Sequence, residues 1–366
     1  DCLLSRGLGD VYKRQVQVLK EGEVQGSDMV AHSAGILDIK TNILPNADAL
    51  FLTAIDSYGH ELWRWTFPVN KLNQQTEQLS PLSSRPTYTE TENDLTVKAN
   101  KRTFIFSKKD GQLKGVSVDN RKISFANGPR FIGARRADRS LDQFYNHDDE
   151  KAKEKDRTYS EFPDAAVFTK LDVKEDGGNL VVTANYKLGN LDKAQWTINP
   201  SGDLALDYTY NFSGVVDLMG IRFDYPEDQV ISKRWLGAGP YRVWQNRIHG
   251  TQYDVWENDY NDPIPGETFT YPEFKGYFGD VSWMNIQTKE GTISLTNETP
   301  DAYIGVYQPR DGRDRLLYTL PESGISVLNV IPPVRNKVNS TDLCGPSSQP
   351  KWVNGPQTGR VIFRFM

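Results

Sequence analysis

The sequence predicts an all-β chain, a partial Ig-like β-sandwich followed by one large antiparallel β-sandwich. Three observations predict it. Short apolar runs alternate at period two, most clearly in Glu61-Leu62-Trp63-Arg64-Trp65-Thr66-Phe67, which sends every second side chain to one face of a strand. Turn-forming residues separate these runs, as in Asp56-Ser57-Tyr58-Gly59, Asp176-Gly177-Gly178, Gly189-Asn190 and Pro200-Ser201-Gly202-Asp203, where glycine, proline and short polar side chains favour chain reversal. No long stretch repeats its apolar residues at the helical period of 3.6.

The elements follow in order. Residues 1–15 carry charges at both ends and lack the apolar core of a signal peptide. Asp10–Gln15 back-translates to a transposase adaptor used in sequencing libraries, so 1–15 is expected to be a translated scar, with the natural chain beginning upstream. Residues 16–70 contain Val16, Val18 and Leu19, the partly alternating Gly35–Lys40, the apolar run Ala49–Asp56 and the Trp63 strand. They are too short for a sandwich of ~100 residues and are expected to be its truncated part. Residues 71–92 are polar, with Ser80, Pro81, Ser83, Ser84 and Pro86, and are expected to form a linker. The large sandwich is assigned to 93–366. It opens with the runs Leu95–Ala99 and Thr103–Phe106, a turn at Lys108–Gly111 and a strand at Leu113–Val118, which together make a hairpin. Further strands are expected over 165–232, at Gly291–Leu295 and Ala302–Tyr307, and a closing strand at Val361–Phe365. The charge run Asp148–Arg157 is expected to be a solvated loop or short helix.

Bulk properties narrow the function. A chain of 366 residues is long enough for about two domains. The hydrophobic fraction is only 37%, but 11% of residues are aromatic, and each buried ring removes roughly 150–250 Å² from water. A net charge of −5 and a pI near 5.6 imply no basic surface, so nucleic acid is not an expected partner. No apolar run approaches the ~20 residues of a membrane-spanning helix. The two cysteines, Cys2 and Cys344, do not make a disulfide framework or a structural zinc site. The oxygen-rich Glu257-Asn-Asp-Tyr-Asn-Asp262 lacks the spacing and central glycine of an EF-hand and reads as an exposed polar turn, so no metal ligands are assigned. The triplets at Asn211, Asn297 and Asn339 fit the glycosylation pattern, a pattern too short to carry weight.

The densest feature is Trp235–Trp283. It holds Trp235, Trp244, Trp256 and Trp283, four of the eight tryptophans, with five tyrosines between them. Glycines, prolines and acids separate the rings, so the block is a sugar-binding face or the packing of a large sandwich. Within it, Trp244, Arg247 and His249 are candidate substrate contacts, Arg247 supplying hydrogen bonds to hydroxyls. Packing is the preferred reading of the ring and ion pairing or carbonyl capping that of Arg247.

The assembled order resembles the C-terminal half of glycoside hydrolase family 2 enzymes, the β-galactosidase group. Trp235-Leu-Gly-Ala-Gly-Pro240 resembles that family's W-x-G-x-G-P run, and Phe106–Leu113 its F-x-x-x-x-G-x-L hairpin opening. Tyr271-Pro-Glu-Phe-Lys-Gly276 resembles its Y-x-x-P-x-E-N-G segment with a shortened spacing, and Trp63–Pro68 the end of its second Ig-like domain. Asn246-Arg247 stands where the family usually has Asp-Arg, and Arg135–Arg139 replaces its arginine-alanine-proline and Asp-Asn-Asp run. The second departure puts the detailed substrate in doubt. The resemblance implies a galactose mutarotase-like supersandwich. It also implies that the two catalytic glutamates lie in a (β/α)₈ barrel upstream, so this chain carries no catalytic residue and no cofactor of its own; any divalent or monovalent cation would belong to the barrel. Gly345-Pro-Ser-Ser-Gln-Pro-Lys-Trp352 resembles the family's glycine-rich loop, whose tryptophan stacks on the sugar, which makes Trp352 the first substrate-binding candidate. Core packing beside the last strand remains an equal reading of the same residue.

The expected role is therefore the non-catalytic C-terminal portion of a bacterial β-galactosidase-like glycosidase, periplasmic or cytoplasmic, with carbohydrate and the upstream barrel as partners. A stand-alone carbohydrate-binding module is the alternative. An aldose 1-epimerase needs a general base and acid facing one ring. Of His32, His60, His147 and His249, only His249 near Glu273 is placed for that.

Overall fold

The computed structural model describes residues 13–20, 22–30, 47–69, 84–136, 159–259, 276–306, 321, 323–333 and 345–366. The chain divides into two compact units, Asp1–Gln78 with Tyr253–Val255, and Leu79–Gln252 with Trp256–Met366.

In the first unit, β1 (Lys13–Lys20), β2 (Glu23–Val30), β3 (Ala49–Ile55) and β4 (Glu61–Pro68) form an antiparallel sheet in the order β2-β1-β3-β4. Val16, Val18, Leu19, Ala49 and Phe51 are buried. The sheet takes in three residues of the segment set aside at 1–15, since Lys13, Arg14 and Gln15 lie opposite Ile55, Ala54 and Thr53. Backbone pairing with β3, with no apolar alternation to mark it, carries the strand back to Lys13. On β4, Trp63, Trp65 and Phe67 stand on one face, as the period-two pattern requires, and each remains more than a third exposed.

The second unit starts with β5 (Thr87–Glu90), β6 (Asp94–Ala99), β7 (Arg102–Ser107), β8 (Leu113–Val118), β9 (Arg121–Ile123) and β10 (Ala126–Arg136). It continues with β11 (Tyr159–Glu161), β12 (Val167–Asp176), β13 (Asn179–Lys187), β14 (Leu191–Ile198), β15 (Leu204–Val216) and β16 (Leu218–Asp224). Then come β17 (Val230–Gly239), β18 (Gln252–Asp259), β19 (Trp283–Thr288), β20 (Gly291–Asn297), β21 (Tyr303–Val306), β22 (Ile325–Val330) and β23 (Lys351–Phe365). One ten-stranded sheet runs β21-β22-β16-β10-β8-β7-β6-β5, with β9 and β11 at its side; a nine-stranded sheet runs β12-β13-β14-β15-β23-β20-β19-β17-β18. Every described strand pair in both is antiparallel, as between β15 and β23. The chain is all-β, and among the described residues only two short 3₁₀ turns interrupt the strands. β5 falls inside the stretch expected to be linker. Its Thr-Tyr-Thr-Glu alternates and pairs with β6, which the neighbouring serines and prolines disguise.

A single large core fills the space between the two sheets, with Phe104, Phe106, Trp196, Phe223, Trp235 and Phe363 fully buried within it. Its rings meet in tilted and edge-on pairs, such as Phe106 with Trp196 at 5.9 Å and Phe223 with Phe363 at 5.2 Å, the arrangement that ring quadrupoles favour. The hairpin turn before β8 is closed by Gly111 N–H donating to Ser107 O at 2.9 Å.

The central pair β15–β23 sets the geometry that follows. Strand pleating sends alternate residues to opposite faces. Tyr208, Tyr210 and Phe212 point into the core. The other set points out, and its register places Asp207 opposite Arg360, Thr209 opposite Thr358, Ser213 opposite Asn354 and Val215 opposite Trp352.

Candidate functional site

The Trp235-Leu-Gly-Ala-Gly-Pro240 signature proves to be a packing device. The Trp235 side chain is fully buried, its Nε1–H donates to Ala238 O at 3.0 Å, and its ring meets Phe278 edge-on at 4.8 Å. A Cβ at Gly239 would come within 2.4 Å of the Trp256 ring, so the second glycine of the signature is demanded by an indole lying against the backbone.

The chain then turns through residues 243–247. Val243 exchanges both backbone hydrogen bonds with Tyr277, at 2.7 and 2.9 Å, and Arg247 N–H donates to Trp244 O at 2.8 Å. The Trp244 ring packs edge-on against Tyr277 at 5.8 Å in a second apolar cluster with Ile132, Leu218, Leu328 and Ile331. At 2% exposure the ring lies inside this cluster, the packing arrangement that the sequence reading preferred for it. Arg247 and His249 are exposed on the turn that follows. Glu273, the acid that an epimerase reading would pair with His249, lies outside the described residues, as do His32, His147 and most of Tyr271–Gly276.

Trp352 is different. It opens β23 and is 72% exposed, while its neighbour Val353 packs against the core. The short 3₁₀ turn Pro346–Ser348 precedes it. That loop is tied to the 243–247 turn by Gln245, whose Nε2 donates to Ser347 O at 2.9 Å and to Gln349 O at 2.7 Å. Gln245 N–H donates to Pro332 O at 3.1 Å, and Asn246 Nδ2 reaches Ser348 Oγ at 3.3 Å. Two segments singled out in the sequence, Trp244–Arg247 and Gly345–Trp352, are thus joined through a glutamine that is 7% exposed. Sequence reasoning passed over Gln245, because a polar side chain declares itself a clamp only when its carbonyl partners, 102 and 104 positions away, are known. The effect is to fix the loop that leads into β23, whose second residue carries the exposed indole.

The profile of the family described as beta galactosidase small chain matches residues 98–332, more than half of the chain. The chain belongs to that family. The matched stretch of this beta galactosidase small chain relative includes the Trp235 signature and the Gln245 turn, and ends before the Trp352 loop. A comparison with curated proteins found no match. Among solved structures, similarity is found to a GalM/aldose epimerase homologue from C. elegans, at 8% identity and TM-score 0.37, over 76% of this chain and 99% of that one. A galactose 1-epimerase from Lactobacillus acidophilus NCFM is similar at 10% identity and TM-score 0.40, over 78% and 99% of the respective chains. A copper-containing benzylamine oxidase from Hansenula polymorpha matches at 8% identity and TM-score 0.28, over 100% and 75%. No residue role is carried over from these three.

The polar stretch Glu257–Asp262, read in the sequence as a turn, continues β18 as far as Asp259. Among the described residues no group of three or more histidine, cysteine or acidic side chains is gathered for a metal.

Proposed function

We propose that this chain is a non-catalytic, sugar-facing part of a β-galactosidase, working with a catalytic (β/α)₈ barrel that lies upstream in the same protein or in a separate large chain. The observation that carries the proposal is the exposed Trp352 at the start of β23, directly after a loop that the Gln245 side chain holds at Ser347 and Gln349. A pyranose presents a largely C–H face, and an indole covering ~50 Å² of it gains about 1 kcal/mol at 25 cal/mol per Å². Anchoring the loop reduces the entropy lost when the ring engages a sugar. The description of the family as a small chain fits a part that completes a larger enzyme. Glycoside hydrolysis itself needs two carboxylates flanking the bond, and this reading leaves both to the barrel, along with any cation. Arg247 and His249, exposed on the turn that Gln245 ties to the loop, are secondary contacts in the same reading.

Two assays test it. The purified chain alone should give no release of nitrophenol from an aryl β-galactoside above a matched blank; clear turnover would overturn the proposal. In the enzyme assembled with its barrel, Trp352→Ala should lower kcat/KM about fivefold, the equivalent of about 1 kcal/mol, and unchanged kinetics would remove Trp352 from the site.

A further inference from the structure

A second polar site lies on the outer face of the nine-stranded sheet, on strands β14, β15 and β23. It is an open depression of about 380 Å³ lined by Lys193, Asp207, Thr209, Glu298, Thr358 and Arg360, within the ~300–1,000 Å³ range of small-molecule sites. The sheet register assembles it. Lys193 stands opposite Thr209 on β14 and β15, Thr209 opposite Thr358, and Asp207 opposite Arg360.

The centre is held rigidly. The Arg360 guanidinium bridges two carboxylates, Nη1 to Asp207 Oδ2 at 2.6 Å and Nε to Glu298 Oε2 at 2.9 Å. The backbone of the same residue is pinned by Thr299, whose Oγ1 donates to Arg360 O at 3.0 Å and accepts from Arg360 N–H at 2.9 Å. Gly359, between Thr358 and Arg360, faces inward across from the buried Tyr208, where a Cβ would come within 2.2 Å of the tyrosine hydroxyl, so the strand carries glycine there.

We propose that this depression is a binding site for a neutral oligosaccharide, separate from the Trp352 loop. Its two cations and two carboxylates cancel, so it offers no net field to an ionic ligand. It does offer oriented donors and acceptors in alternation, because Asp207 Oδ1 and Glu298 Oε1 accept no bond from a described residue and Thr209 and Thr358 present hydroxyls that both give and take. Charged groups whose partners already fix their geometry bind a hydroxyl pair without further ordering cost, and two or more adjacent hydroxyls on a neutral ring are what a sugar supplies. The choice of a sugar over another polyol rests on the reading of the chain as part of a β-galactosidase.

The test is calorimetric titration of the purified chain with galactotetraose, with a sulfated oligosaccharide of equal length in parallel. Saturable binding near ~1 mM is expected for the neutral probe, and no tighter binding for the sulfated one. Asp207→Asn keeps the shape and removes a charged acceptor; Thr358→Val keeps the strand and removes a hydroxyl. Each should weaken binding at least about fivefold, while Lys101→Ala, in the turn between β6 and β7 and outside the depression's lining, should leave it unchanged; matching thermal melts would show all variants folded. Absence of saturation, equal affinity in Asp207→Asn and Thr358→Val, or preference for the sulfated probe would overturn the site. Failure of the β-galactosidase reading would show instead as aryl β-galactoside turnover by the chain alone.

Discussion

Trp235 and Trp352 belong to the same unit and to opposite situations. Trp235 is fully enclosed, satisfied by Ala238 O and stacked edge-on against Phe278. Trp352 is 72% exposed at the start of β23, after a loop that Gln245 holds through its backbone carbonyls. The difference shows that much of the aromatic block between Trp235 and Trp283 is core, with Trp235, Trp244, Tyr277 and Trp283 buried, while Trp352, outside the block, keeps its ring in solvent. Exposure alone does not separate Trp352 from Tyr58, Leu188 or Trp63, which are exposed as well, since folded surfaces carry many apolar side chains.

The sharpest way to break this comparison is to truncate both rings. Trp235→Ala should cost about 3–5 kcal/mol, as for other large-to-small core changes, and is expected to collapse the urea midpoint or the soluble yield. A loss below ~1 kcal/mol would mean that the site closes up and that Trp235 is not a core anchor.

Two arginines of β23 provide the same contrast in charge. Arg364 makes a bidentate pair with Asp203, at 2.7 and 3.1 Å, and the two side chains are 12% and 5% exposed. Removing one partner of a buried pair strands the other, so Arg364→Ala should cost about 3–5 kcal/mol in urea unfolding. Arg360, at 40% exposure, should cost no more than ~1 kcal/mol for each of its solvated pairs. Equal losses at the two positions would show that burial does not separate them.

A smaller effect concerns pH. Burial raises the Tyr208 hydroxyl from the ordinary value near 10 to about 12. The folded state therefore holds its proton where the unfolded state has lost it, so the contribution is fully present below pH 10 and is lost as pH rises toward 12. Across that window each such tyrosine lowers stability by about 1.4 kcal/mol per pH unit. Tyr208→Phe should flatten the fall in melting temperature above pH 10, and an unchanged alkaline slope would argue against its burial. The smallest expected effect is Trp352→Ala on stability, within about 0.5 kcal/mol of wild type.

Much of the fold was legible. Strand β8 has the bounds that alternation gave it, and the turns at Gly177-Gly178, Gly189-Asn190 and Pro200–Asp203 all separate paired strands. The last strand was legible only at Val361–Phe365, yet β23 begins at Lys351. Its first ten residues carry Asn354, Pro356 and Thr358 on the outer face and glycines among the rest, so no apolar alternation marks them; pairing with Asp207–Val216 of β15 defines them instead. The site was legible as residue types at two places in the chain, not as an assembly. Trp244 and Trp352 look alike in sequence, and only the packing of Tyr277 against the first separates a core ring from a projecting one. The Arg360 depression left no sequence signal, because its side chains come from three strands and a loop.

The most direct test of the account is kcat/KM on an aryl β-galactoside for the assembled enzyme carrying Trp352→Ala. With assembly and melting temperature unchanged, the account predicts a fall of about fivefold, carried by weaker sugar binding. A kcat/KM equal to wild type would contradict it.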